Sequence, residues 1–325
     1  MAKVTDPNII NLAVGEPYFL QNALRQSNIL DKCTVRLSGL EYPPFGGEPK
    51  LIEAIKRLPN FGDYKHVVIT NGAKQAISAA LYAATEVRHA KRLVHSAPYW
   101  PSYPTLAYQC GLQFSEIGSG LDTVVAITSP NNPDGMQVSE QKCYIWDAAY
   151  ASPLYGYKGD HPTAEVAIVS LAKSLGISGL RIGAALTNDD VLAKYMAYFV
   201  EISTSGVSTT AQEQCTMLIK HILSDGSDEF ASVIERARST LSNNRSLFRQ
   251  VLLPICDEAK FSHGMFAWFK PNNKVEFSNI LEHAGVRVVD GGACGVQGWF
   301  RMSLGLDINA FTAAIEAIST HISDQ

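Results

Sequence analysis

The chain predicts an α/β protein: a large domain on a mainly parallel sheet covered by helices, plus a smaller α+β domain. Three observations carry this. Short runs rich in Val and Ile alternate with helix-patterned stretches through the middle of the chain. Those runs are continuously apolar, as strands buried on both faces must be. After about Ser205 the rhythm changes to one long amphipathic helix and then short segments in mixed order.

Taken in order, "HVVIT" (His66–Thr70) is a strand and "AKQAISAALYAATE" the helix after it. "RLVHS" (Arg92–Ser96) is a strand before the helical "APYWPSYPTLAYQCG". "TVVAITS" (Thr123–Ser129) ends in "PNNPDG", where Pro, Asn and Gly stop any strand. "CYIWDAAY" (Cys143–Tyr150), "EVAIVS" and "RIGAALT" complete the set. Beyond it, a helix over roughly Ser227–Leu253 repeats apolar residues at Phe230, Val233, Ile234 and Leu241. Then come a strand "GMFAWFK", a helix "VEFSNILEHAG", a strand "VRVVD", a strand "WFRMSLG" and a last helix "INAFTAAIEAISTHI". The expected division is a large domain over 41–205 and a small one from 1–40 with 206–325.

Composition excludes several function classes. With 325 residues, 46% hydrophobic and 18% charged, the chain has enough apolar material for a substantial core. Net charge is −4 with Lys and Arg scattered, so no nucleic-acid footprint is present, and "RHAKR" reads as a solvated helix end. No run approaches the ~20 apolar residues of a membrane span, and "MAKVTDPNII" is no signal peptide. Six cysteines show neither C-x-x-C nor zinc spacing, and eight histidines show no metal spacing. A soluble, cytoplasmic protein without a metal is expected.

In parallel sheets, ligands collect at the carboxyl ends of the strands. Several distinctive residues fall there: Asn71, Gly72, Tyr99, Trp100, Asn132, Asp147, Tyr150 and Lys173. Lys173 follows an apolar run and sits among Ala172, Leu175 and glycines. It is either an exposed loop lysine or an amine kept neutral and nucleophilic by burial. Ser170 and Arg181 flank it with a hydroxyl and a guanidinium, which suit a phosphate. "TNGAKQA" (Thr70–Ala76) is a strand, a glycine turn and a helix start, whose free amides suit the same anion. Asp147 is a carboxylate at a strand end, able to hold a pyridinium nitrogen. Each has a plainer alternative: Asn132 as a turn former, Trp100 or Tyr99 as core aromatics, Arg301 as a sheet-edge ion-pair partner. Phe266 and Trp268 read as small-domain core, and Tyr18, Phe19 and Phe45 as packing.

Together these motifs, from "NLAVGEPYF" to "WFRMSLG", resemble the fold-type-I pyridoxal-phosphate enzymes of aminotransferase class I/II. "SPNNPDG", "DAAY" and "TNDDVLAKYMAYFVEISTSGVSTTAQ" resemble the alliinase and plant tryptophan-aminotransferase branch most. The resemblance implies a seven-stranded-type sheet and a pyridoxal 5'-phosphate cofactor bound to Lys173 as a Schiff base. It implies that Asp147 pairs with the ring nitrogen, and that Tyr150 and Asn132 bond the ring oxygen. Trp100 stacks on the ring, with Tyr99 as the second choice. Ser170, Arg181 and the amides of Gly72, Ala73 and Lys74 hold the phosphate. Tyr42 reaches the phosphate of a neighbouring subunit in a homodimer. Arg301, Asn132 and Gly15 bind the substrate carboxylate. The implied activity exchanges an amino group between an L-amino acid and a 2-oxo acid. A β-eliminating C–S lyase shares the motifs, and an inactive binding protein on the same fold is a further alternative. One departure is Ala172, where the family often has Ser, and the N-terminal arm that often braces the dimer is expected to be reduced.

Overall fold

The computed structural model describes residues 9–34, 40–224 and 226–323. The expected small-domain segment 1–40 falls partly on residues 1–8 and 35–39, outside the described residues. After a short strand β1 (Ile10–Asn11), seven strands build the large sheet: β2 (His66–Asn71), β3 (Arg92–Val94), β4 (Gln113–Ser115), β5 (Thr123–Thr128), β6 (Lys142–Asp147), β7 (Thr163–Ser170) and β8 (Ile182–Thr187). Their spatial order is β2-β8-β7-β6-β5-β3-β4. All pairings are parallel except the two made by β8, which runs against both neighbours. The sheet is therefore mainly parallel, as expected. The strand β4 had no apolar run to mark it, because it lies at the sheet edge and buries little.

The central strands are apolar throughout because helices cover both faces. Every residue of β8 is buried, as are the last five of β6 and of β7. The helix Gly72–Arg88 packs on β7 and β8, and the helix Asp190–Thr204 packs on it in turn. That second helix starts at Asp189, whose carboxylate accepts from Val191 and Leu192 N–H at 2.8 and 3.0 Å.

A second sheet is antiparallel and follows the long helix Ser227–Val251. It contains β9 (Cys256–Lys260), β10 (Phe266–Pro271), β12 (Val289–Asp290) and β13 (Phe300–Ser303), in the order β12-β13-β10-β9. "VRVVD" does not form one strand. Its first half, β11 (Val286–Arg287), pairs with β1, and its second half, β12, pairs with β13. The long helix buries Val233, Ala237, Leu241, Asn244 and Phe248, one helical stripe. Asn244 donates from that stripe to the Leu304 and Leu306 carbonyls at 2.9 and 3.0 Å, fastening the helix to the chain after β13. No helix among the described residues is long and apolar enough to cross a membrane.

Candidate active site

A cavity of about 250 Å³ lies where β2, β5, β6 and β7 end. Because β8 runs the other way, its amino end reaches the same place and brings Arg181. Gly15 and Arg301 close the opposite side. The cavity thus gathers the expected site residues except Tyr42 and Tyr99.

One pole is built for an anion. The helix Gly72–Arg88 begins there with no side-chain cap, so the amides of Gly72, Ala73 and Lys74 face the cavity's edge without that partner. Gly72 has φ +76°, and a Cβ on it would stand 2.7 Å from Arg181 Nη2. Only glycine lets the guanidinium come so close to the helix start. Arg181 Nη1 donates to the Ser178 carbonyl at 2.9 Å, which sets the direction of the fork. Ser170 is buried at the end of β7, and its hydroxyl makes no capping bond to the short helix after it. Lys74 Nζ lies 5.3 Å over the Trp100 ring, at the same end.

The amine stands in the middle. Lys173 Nζ donates to the Gly15 carbonyl, and Tyr155 OH donates to the Lys173 carbonyl at 2.9 Å. Burial draws the Lys173 amine down to about 8. Glu16 opposes this, and the positive charges of Arg181 and Arg301 reinforce it.

The third group is acidic and deep. Asp147 is buried, and burial pushes its carboxyl up to about 6. The Ala149 N–H donates to Oδ1 at 3.1 Å and the Tyr103 hydroxyl to Oδ2 at 3.0 Å, and both limit that rise. Tyr150 is buried nearby, and burial raises its phenol.

The fourth is cationic. Arg301 is buried in β13, an inner strand of its sheet, and is not a sheet-edge ion-pair partner. Its Nη1 donates to Asn132 Oδ1 at 2.9 Å and its Nη2 to the Ala13 carbonyl at 2.6 Å. Its Nε is buried with no hydrogen-bond partner among the described residues. The guanidinium lies 4.4 Å over the Phe266 ring, which meets Tyr150 edge-on at 5.7 Å. Phe266 is therefore core, as expected, and also the floor beneath two site residues.

Two expectations lie elsewhere. Tyr99 is buried against Phe114, with its hydroxyl 3.4 Å from Glu116, so the ring at the cavity is Trp100. Tyr42 is 84% exposed, beside Pro43 and the turn 204–209, away from this chain's own cavity. Tyr18, Phe19 and Phe45 do not line the cavity. Sequence reasoning missed Tyr103 and Thr128. Tyr103 stands three residues after Trp100, but nothing local tells that it meets a carboxylate 44 residues on. Among the described residues, no cluster of His, Cys, Asp or Glu could hold a metal ion.

The fold is shared with solved aspartate aminotransferases. One from Thermus thermophilus, with maleate, superposes with a TM-score of 0.76 at 22% identity, over 96% of this chain and 91% of that one. One from Thermotoga maritima gives 0.74 at 23% identity, over 97% and 92%. By sequence, an aspartate aminotransferase of Streptomyces avermitilis is 26% identical over 97% of this chain and 90% of its own length. Tryptophan aminotransferase-related protein 2 of Oryza sativa subsp. japonica is 29% identical over 75% of this chain. The match covers 54% of that plant protein, so the chain spans little more than half the length of such relatives. The model of the family described as aminotransferase class I and II matches residues 7–318, and the chain belongs to that family.

Proposed function

We propose that the chain is a pyridoxal-phosphate-dependent aminotransferase, moving an amino group between an L-amino acid and a 2-oxo acid. The observation that carries this is the order of groups across the cavity. An anion pole, a partly neutral amine, a buried carboxylate and a buried guanidinium line one space.

That donor set fits pyridoxal phosphate. Arg181, Ser170 and the amides of Gly72, Ala73 and Lys74 would hold the phosphate, Lys173 the aldehyde carbon, and Asp147 the ring nitrogen. Trp100 would cover the ring, and Tyr150 with Asn132 would bond its oxygen. When bound, the cofactor supplies an electron sink for negative charge at the substrate Cα. The protein's own residues do the rest. Arg301, with its free Nε and an Nη1 already on Asn132, binds the substrate carboxylate beside Gly15. That grip would aim the Cα–H bond at Lys173, whose amine is placed to take the proton from Cα and to hold it. The Asp147 carboxylate, ionised at neutral pH, stabilises a positive ring nitrogen.

The active unit in this proposal is a homodimer in which Tyr42 enters the neighbouring site. Its exposed hydroxyl, remote from its own cavity, supports that. Six free cysteines favour the cytoplasm. The large sheet lies within 66–187 and the smaller within 256–303, which supports domains over 41–205 and over 1–40 with 206–325.

The test is a visible spectrum of the purified chain with pyridoxal phosphate, then with single amino acids and no 2-oxo acid. Tryptophan and aspartate come first, since relatives carry those names. A yellow band that bleaches as the matching 2-oxo acid appears supports the proposal. A persisting band with pyruvate released from a cysteine derivative would show C–S elimination instead. No band would refute both.

A further inference from the structure

Behind Asp147 lies a buried polar group that the proposed chemistry leaves unused. His95, one residue beyond β3, is 5% exposed. Its Nδ1 lies 3.0 Å from the Ser96 carbonyl oxygen and its Nε2 lies 3.0 Å from Thr128 Oγ1. A carbonyl only accepts, so Nδ1 carries the proton. Burial keeps the imidazole neutral, drawing it down to about 4, and Nε2 is then a bare acceptor. The Thr128 hydroxyl must donate to it.

Thr128 pairs with Asp147 across β5 and β6 and lines the cavity. Its hydroxyl is also within hydrogen-bonding reach of the Tyr103 hydroxyl, the group that donates to Asp147 Oδ2. The titratable rings around His95 are Tyr103 at 4.7 Å and Tyr99 at 6.2 Å.

We propose that His95 is a positioning residue for Asp147: by taking the Thr128 proton, it stops that hydroxyl from donating to Tyr103, whose own hydroxyl donates to Asp147 Oδ2. A tyrosine hydroxyl that accepts no such bond donates less strongly, and the carboxylate it feeds is the stronger base. It then holds a proton on the ring nitrogen of the cofactor more firmly. The inference rests on the proposed cofactor site.

The experiment loads wild type, His95→Phe, His95→Gln and the His95→Phe/Thr128→Val pair with pyridoxal phosphate. It reads the pH midpoint of the visible band, then kcat and KM. His95→Phe keeps the ring packing on Tyr103 but frees the Thr128 hydroxyl. Its midpoint should rise by about 0.5 pH unit and kcat fall roughly three- to tenfold, with KM within about twofold. His95→Gln still offers an acceptor and should restore both values. In the double variant no hydroxyl is left to misdirect, and the midpoint should return to that of the wild type. Should His95→Phe not fold, His95→Leu makes the same comparison. A midpoint indifferent to His95, or a shift that Thr128→Val does not cancel, overturns the proposal. So does a ¹⁵N NMR spectrum of the cofactor-free protein showing the His95 proton on Nε2. A wild type that takes up no pyridoxal phosphate overturns the proposed function, and this inference with it. One that binds it while His95 proves silent overturns this inference alone.

Discussion

The cavity has two walls built by different means. On the sheet side, Asp147 and Ser170 are the last residues of β6 and β7, and Lys173 follows three residues later. The strand ladder places them. On the facing side, Arg301 is held by bonds to Ala13, 288 residues away, and to Asn132, 169 away. There the strand β13 sets the backbone of Arg301, and bonds to residues outside its sheet aim its side chain. The comparison teaches a division of labour. In the proposed function, charge and proton work would sit on the sheet wall, where a displacement near 1 Å can cost about 10²-fold in rate. Substrate capture would sit on the facing wall, where individual hydrogen bonds, each to a charged group worth roughly 1.5–3 kcal/mol, aim the guanidinium.

Substitutions on the sheet wall should act on turnover, and those on the facing wall on binding. The largest effect is expected for Lys173→Ala, a loss of at least about 10³-fold in kcat measured with the best amino donor. Turnover near that of the wild type would remove Lys173 from the chemistry.

Asp147→Asn should lower kcat by about 10²-fold. It should also stabilise the cofactor-free protein, because the folded carboxyl titrates above its unfolded value, at about 6 against 3.8. Ionised Asp147 therefore costs stability above pH 6, up to about 3 kcal/mol. That cost vanishes as pH falls through about 6 toward 4. Urea unfolding at pH 7.5 and pH 4.5 checks it: the variant's gain at the first should be about three times that at the second.

Arg301→Lys should raise KM for the amino acid by about 10- to 100-fold and change kcat less, because a point charge replaces a fork. A loss confined to kcat would break the contrast between the walls.

The smallest expected effect is a pH dependence. Only the neutral Lys173 amine is a nucleophile, and its titration is drawn down to about 8. Stopped-flow capture of pyridoxal phosphate should therefore speed up about tenfold per pH unit below 8 and level off above it. A rise continuing past pH 10 would place Lys173 in water.

Much of this site was legible in the chain. Apolar runs marked β6 and β7, and the polar residue that ends each run was by that fact at the carboxyl edge. Glycines around Lys173 and before the helix at Gly72 marked where backbone and ligand approach closely. The places of Tyr103, Thr128, His95 and Phe266 around the site were not legible. Their local sequence is that of ordinary core, and only folding turns their polar or aromatic edges toward Asp147 and Arg301. Tyr99 and Trp100 show the limit most sharply. The two rings are adjacent, yet one packs on Phe114 and the other lines the cavity.

The sequence by itself determined the central strands of the large sheet and the long helices, because burial leaves a periodicity that survives in one dimension; the exposed edge strands β4 and β9 left no such mark. It determined the chemical types at the strand ends for the same reason. The direction of β8, the split of "VRVVD" between two sheets and the approach of Arg301 to Ala13 were decided only by the tertiary structure. Those depend on contacts between segments far apart in the chain. So do the tuned titrations of Lys173 and Asp147, whose first cause is burial, a property no residue has until the chain is folded.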